Sequence, residues 1–87
     1  MSTDQQTITE AFVAVALDDL QAFTAEAQYR LEGDDLDQAW DAIYEARVAA
    51  EAAERQVIGL LRQRGTTWET IGAGYGITKQ AAQQRWS

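Results

Sequence analysis

Apolar residues recur every three or four positions along most of the chain, which is the period of an α-helix. The first such stretch runs from about Ile8 to Leu31. Thr7 and Glu10 fit a capping box at its start, and Gly33 suits a left-handed stop at its end. Its apolar positions are Phe12, Val13, Ala16, Leu17, Leu20, Phe23, Ala27 and Leu31. The pattern predicts one long amphipathic helix.

A second helical stripe follows a short Gly-Asp-Asp link, in which Asp34 and Asp35 are both good N-caps. A glycine inside a helix costs about 1 kcal/mol relative to alanine, so this helix is expected to continue through Gly59 towards Gly65. Its predicted buried stripe is Leu36, Trp40, Ile43, Ala46, Ala50, Ala53, Val57 and Leu60. Two long helices joined by a short link predict an antiparallel hairpin.

The seam between these two helices is expected to be thin. Its middle is rich in alanine, and alanine removes little apolar area from water, at about 25 cal/mol per Å². Because a second copy of the chain would bury more, we expect a homodimer that forms through the hairpin.

The end of the chain has a different pattern, with signals for two short helices. Thr66 and Glu69 fit a second capping box, which starts the first of them. Gly76 supplies the left-handed residue that a sharp turn needs, and Thr78 is an N-cap for a last helix over 79–86. Two short helices joined by a tight glycine turn form the helix-turn-helix pattern.

No segment shows the alternation typical of a strand. The sequence therefore predicts an all-α single domain, in which residues 1–64 form an acidic helical hairpin and residues 65–87 a helix-turn-helix. We expect the three tryptophans to pack in or at the edge of the core rather than to stack on a ligand, since aromatic residues dominate small cores. They are Trp40, Trp68 and Trp86.

The net charge of −7 is unevenly distributed along the chain. Residues 1–54 contain thirteen acidic and two basic residues, a net charge of −11. Residues 55–87 contain five basic residues and one acidic residue, a net charge of +4. Because phosphate binding needs positive charge, only the second segment suits a nucleic acid.

Composition argues against catalysis, since the chain has neither cysteine nor histidine. It therefore lacks thiolate nucleophiles, cysteine-based zinc sites and the commonest general base. We expect neither an enzyme nor a cofactor.

The longest apolar run, Ala11 to Leu17, is too short to span a bilayer. The first ten residues carry Asp4 and Glu10 but no basic residue, unlike a signal peptide, so we expect a cytoplasmic protein without a membrane partner.

Several C-terminal positions match a known motif. Ile71 precedes the small residue Gly72, and Gly76 is the turn glycine, followed by apolar Ile77 and, further on, by Ala82. With these residues, about the last 22 positions resemble small helix-turn-helix DNA-binding regulators of actinobacteria and their phages. They are also similar to the helix-turn-helix of sigma-factor region four.

The resemblance implies that the last helix lies in the major groove of double-stranded DNA, where its first residues reach base edges. Glutamine can pair with adenine, and lysine can reach guanine or phosphate. The expected contacts on the last helix are Thr78, Lys79, Gln80, Gln83, Gln84 and Arg85, and further backbone contacts are Arg62, Arg64, Thr66 and Thr67. The implied function is a homodimeric, sequence-specific transcriptional regulator with two such helices about 34 Å apart.

A different hypothesis for the function rests on Asp37, Asp41 and Glu45, which form an acidic stripe on the second helix. Like charges at this spacing oppose the helix. The stripe is a solubilising surface, a docking surface for a basic protein, or a DNA-like surface that occupies another protein's DNA site. In the last two cases the chain is an acidic protein-interaction module, such as a phage-type inhibitor or anti-repressor that binds a transcription or DNA-binding protein. The glutamines of the last helix would then be a solvated face.

Overall fold

The computed structural model describes the backbone of residues 2–87 and the side chains from residue 5 onwards, so the side chain of Asp4 lies outside it. Over these residues the chain is all-α, with helices but no strand. The helices are α1 (Ser2–Glu32), α2 (Leu36–Gln63), α3 (Trp68–Tyr75) and α4 (Lys79–Trp86). This confirms the predicted class, a long hairpin of α1 and α2 followed by short helices.

The chain divides into two compact units, Met1–Glu54 and Arg55–Ser87. The first unit contains α1 and most of α2, and the second contains the end of α2 with α3 and α4. The boundary falls where the sequence changes from a net charge of −11 to one of +4. Within the described residues, no helix is both long enough and apolar enough to cross a membrane.

Helix α1 begins earlier than its capping signal predicted. It starts at Ser2, so Thr7 lies inside the helix, and the expected capping box of Thr7 and Glu10 does not mark its start. The residues before Thr7 include neither glycine nor proline, and nothing in their backbone opposes extension of the helix.

The turn after α1 is made by Asp34 rather than by Gly33, which corrects the prediction. Asp34 has φ 63°, a left-handed conformation that aspartate tolerates better than most side chains. Its N–H donates to Leu31 O at 3.1 Å, and the N–H of Asp35 donates to Arg30 O at 2.9 Å, which closes a Schellman motif. Asp35 then caps α2, as one of the two predicted N-caps, because its Oδ1 accepts from Gln38 N at 3.2 Å.

The buried side of α2 in the hairpin is made of alanine. The residues Ala39, Ala42, Ala46, Ala49 and Ala53 are each at most 8% exposed, and we call them the alanine face. Their spacing of three and four places them on one line along the helix. On α1 the half-buried positions have the same spacing, and they are Thr9, Val13, Ala16, Leu20, Phe23, Ala27 and Arg30.

The predicted buried stripe of α2 is therefore partly wrong. Ala46 and Ala53 are buried as expected, but Leu36, Trp40 and Ile43 are 63%, 73% and 58% exposed. We call these three residues the large apolar face. Because both faces have helical spacing, periodicity did not distinguish them. The alanine face lies inward because small side chains let two backbones approach closely.

Candidate functional site

The second unit has a small core of its own, built from three helices. Ile58 from α2, Ile71 from α3 and Ala82 from α4 are buried, and Ala82 has no exposed surface. The partly buried residues packed against this core are Trp68, Ile77 and Trp86. Trp68 and Trp86 therefore pack at the core edge as expected, whereas the same expectation was wrong for Trp40.

Gly72 of α3 lies against the backbone of the turn that precedes α4. A Cβ placed there would lie 2.8 Å from Ile77 O and 2.9 Å from Thr78 O. Helix α3 ends at Gly76, which has φ 69° as its predicted turn role requires. The N–H of Ile77 donates to Gly72 O at 2.9 Å, which ties the turn back to α3. Glycine at both positions thus sets how α4 leaves α3.

The N-cap of α3 is Thr67 and not the predicted Thr66. The Thr67 hydroxyl accepts from Thr70 N at 3.1 Å, so Thr67 caps the helix. Thr66 belongs to the C-terminal cap of α2, because its backbone N–H donates to Leu61 O at 3.0 Å, directly after left-handed Gly65. The capping role therefore falls to the next residue.

Helix α4 begins and ends where the sequence predicted. Thr78 is its N-cap, and the Thr78 hydroxyl accepts from Ala81 N at 3.1 Å. Lys79 and Gln80 follow in the first turn, and both are exposed. The hydroxyl of Thr78 accepts in the cap and keeps its O–H as a donor, and the first N–H groups of α4 are further donors for a ligand.

The glutamines of α4 lie together on its solvent side. Gln80, Gln83 and Gln84 line one open surface depression with Ser87, with a volume of about 350 Å³. Ala82 on the other side of the helix is fully buried. The structure thus brings the three predicted glutamines together, and their amides both donate and accept hydrogen bonds.

Two of the predicted arginines are held by aromatic rings. The guanidinium of Arg62 lies 4.6 Å from the ring centre of Trp68, and its Nη1 donates to Thr66 O at 2.8 Å. Arg85 lies 4.8 Å from the ring of Trp86 and 5.9 Å from that of Tyr75. Stacking orients a guanidinium and leaves N–H donors free for a phosphate.

These ring partners are not predictable from spacing along the chain. Arg62 and Trp68 lie on different helices across a turn, so no helical spacing links them. Tyr75 and Trp86 have ring centres 4.6 Å apart, which joins the ends of α3 and α4.

The remaining predicted contacts differ in exposure. Arg64 and Thr67 are exposed, and Thr66 is half-buried. Within the described part of the chain, no group of three acidic residues could hold a metal ion.

Comparison with known proteins finds no matching family model and no matching solved structure. The chain is similar to uncharacterized proteins of Mycobacterium bovis and of two strains of Mycobacterium tuberculosis, each 39% identical over 59 residues. The match covers 64% of this chain and 23% of each relative, so the chain spans about a quarter of the length of these curated relatives. Because the relatives are uncharacterized, any function must be argued from the residues of this chain.

Proposed function

We propose that the chain is a sequence-specific DNA-binding transcriptional regulator that inserts α4 into the major groove of double-stranded DNA. One observation carries the proposal. Helix α4 buries Ala82 completely and presents Gln80, Gln83 and Gln84 together to solvent. Amide side chains on the exposed side of a short helix suit the donor and acceptor pattern of base edges.

The connection between α3 and α4 supports this proposal. Two eight-residue helices are joined by a short turn that packs against Gly72 and contains left-handed Gly76, and this supports a helix-turn-helix. In such motifs the second helix lies in the groove and its N-terminal residues contact bases. Gln80, in the first turn of α4, is then the leading base contact.

Charge supports the same surface. The unit that contains α4 has a net charge of +4, and Lys79, Arg64 and Arg85 are exposed on it. These residues, with the free N–H groups at the start of α4, are suited to phosphate oxygens. The first unit, with a net charge of −11, repels phosphates and should lower affinity for DNA of arbitrary sequence. A homodimer would present two copies of α4 to half-sites about 34 Å apart.

Selection of bound duplexes from a random DNA pool, at two salt concentrations, tests the proposal. We expect an enriched sequence for the wild type. Lys79→Ala should weaken binding to all duplexes alike and reduce the slope of log K against log salt by about 1, since it removes one phosphate contact. Arg30→Ala, which removes a basic residue from α1 of the hairpin, is the matched control and should leave that slope unchanged. A pool without enrichment at moderate salt contradicts the proposal.

A second candidate function, the acidic protein-interaction module, is favoured by the exposure of Asp37, Asp41 and Glu45 on α2. Transcript levels in a mycobacterium that expresses each variant separate the two. Expression of the wild type is expected to change transcript levels relative to cells without the protein. Under the DNA-binding proposal, the triple variant Gln80→Ala, Gln83→Ala and Gln84→Ala abolishes this change. The variant in which the three acidic residues are replaced by lysine preserves it. Under the protein-interaction hypothesis, the lysine variant abolishes the change and the glutamine variant preserves it.

A further inference from the structure

The large apolar face of α2 is exposed along one line of the helix. Leu36, Trp40 and Ile43 lie four and then three residues apart, so they follow one line along the helix. The same spacing continues through Arg47 and Ala50. A repeat of four and three is that of a coiled-coil seam. Helix α2 thus has two such seams, the alanine face and the large apolar face.

The seam with the smaller side chains is the buried one, although burial of the larger side chains would remove more apolar area from water. The alanine face is buried within the hairpin, although alanine offers little area, while Trp40 is 73% exposed. An aromatic side chain can bury about 150–250 Å², so Trp40 alone leaves about 150 Å² in water. Leu36 and Ile43 add their exposed 63% and 58%, and Leu31, near the same end of the hairpin, is 59% exposed.

The amount of exposed apolar surface fits a protein interface. Isolated hydrophobic residues are normal on a surface, but a continuous patch above about 300–600 Å² is typical of an interaction site. A stable dimer of standard size needs about 800 Å² from each partner. The large apolar face with Leu31 exposes on the order of 400–500 Å², which is in the range of an interaction patch and would supply the apolar centre of such an interface. The hairpin alone buries chiefly alanine along α2.

Charge decides which side of the hairpin can meet a second copy. An α-helix turns about 100° per residue, so Asp41 and Glu45 each point about 160° away from Ile43 around the axis. From Leu36 to Ala50, the charged residue on the seam is Arg47. Two hairpins can therefore meet along this seam with Asp41 and Glu45 directed outward, although residues 1–54 of each copy have a net charge of −11.

We propose that a second copy of the chain docks on the large apolar face, so that α2 packs against α2 of its partner. The two hairpins then form a four-helix bundle about a two-fold axis, in which the same patch is used by both copies. This inference rests on the proposed function for its purpose, because a two-fold pair of hairpins supplies the two α4 helices that a two-fold DNA site requires.

Analytical ultracentrifugation of the 87-residue chain without DNA tests the pairing. We expect twice the mass of a single chain for the wild type. Trp40→Glu with Ile43→Glu should raise the dimer dissociation constant by about 100-fold or more, since it places charges where aromatic and aliphatic anchors meet. Val48→Glu is the matched control, because Val48 is 43% exposed but lies on the other side of α2, and it should leave the dimer intact.

The outcomes are distinct. A wild type that is monomeric up to several hundred micromolar overturns the pairing. A dimer that survives the double variant but is lost in Val48→Glu overturns the choice of face. Circular dichroism checks that each variant keeps its helix content.

A second measurement does not depend on the double variant folding. Since the chain has no cysteine, Ile43→Cys introduces a single thiol. We expect oxidation to crosslink two copies at this position much faster than in Val48→Cys. Equal, slow crosslinking of both would contradict the pairing.

Failure of the pairing and failure of the proposed function can be told apart. The mass measurement contains no DNA, so it reports on self-association of the chain alone. A dimer without sequence selection retains the pairing and rejects the DNA proposal. A monomer that still selects a single half-site retains the DNA proposal and rejects the pairing.

Discussion

Gly72→Ala is expected to destabilise the second unit by about 1–3 kcal/mol, because it forces a methyl group into a space that backbone already occupies. The added Cβ would lie 2.8 Å from Ile77 O and 2.9 Å from Thr78 O. Neither atom can retreat easily, since Thr78 caps α4 and the N–H of Ile77 is bonded to Gly72 O. Denaturant unfolding followed by circular dichroism measures the loss.

Gly74→Ala provides the matched control, two residues further along α3. Nothing lies within 4 Å of a Cβ added at Gly74, and its φ is not positive. Alanine there should stabilise the unit by about 0.5–1 kcal/mol, because it reduces the entropy that a helical glycine loses on folding. The same substitution is thus expected to lower the free energy of unfolding at Gly72 and to raise it at Gly74. Equal stability of both variants would show that α3 and α4 do not approach at Gly72.

Gln80→Ala should change which base is preferred at one position of the selected DNA site, at a cost of about 1–3 kcal/mol for the favoured base. Gln80 is exposed in the first turn of α4, the part of a recognition helix that reaches base edges. Binding competition among duplexes with each of the four bases at every position measures the effect.

The control for this prediction is Gln21→Ala, which removes an exposed glutamine from α1 in the acidic hairpin. It should leave both the affinity and the base preference unchanged. If Gln80→Ala instead weakens all duplexes equally, Gln80 contacts the phosphate backbone. If it has no effect, Gln80 belongs to a solvated surface and the base-reading role is wrong.

Much of the second unit was predictable because its signals act over a few residues. Thr78 caps α4 through a hydroxyl that reaches three residues ahead, and Gly76 turns the chain through its own φ. The predicted bounds of α4 were therefore correct. The shift of the α3 cap from Thr66 to Thr67 was not foreseen, because Thr66 N–H is used by the end of the preceding helix.

The hairpin shows what local patterns leave open. Gly33 and Asp34 are neighbours that both tolerate a left-handed conformation, and the closing hydrogen bonds selected Asp34. Both seams of α2 have helical periodicity, so spacing alone did not say which would face α1. Hydrophobicity favoured the large residues and was misleading, since the face that allows close contact between two helices is the one with small side chains.

The amino-acid sequence alone determined the all-α class, the long hairpin, the short C-terminal helices and the separation of charge between the two parts of the chain. These follow from periodicity, caps and composition, which need no knowledge of distant residues. Packing decided that alanine faces inward on α2, that Trp40 is exposed, and that Arg62 and Arg85 lie over aromatic rings. Such choices compare alternative contacts between separate helices, and a linear pattern contains no information on which contact is the better packed.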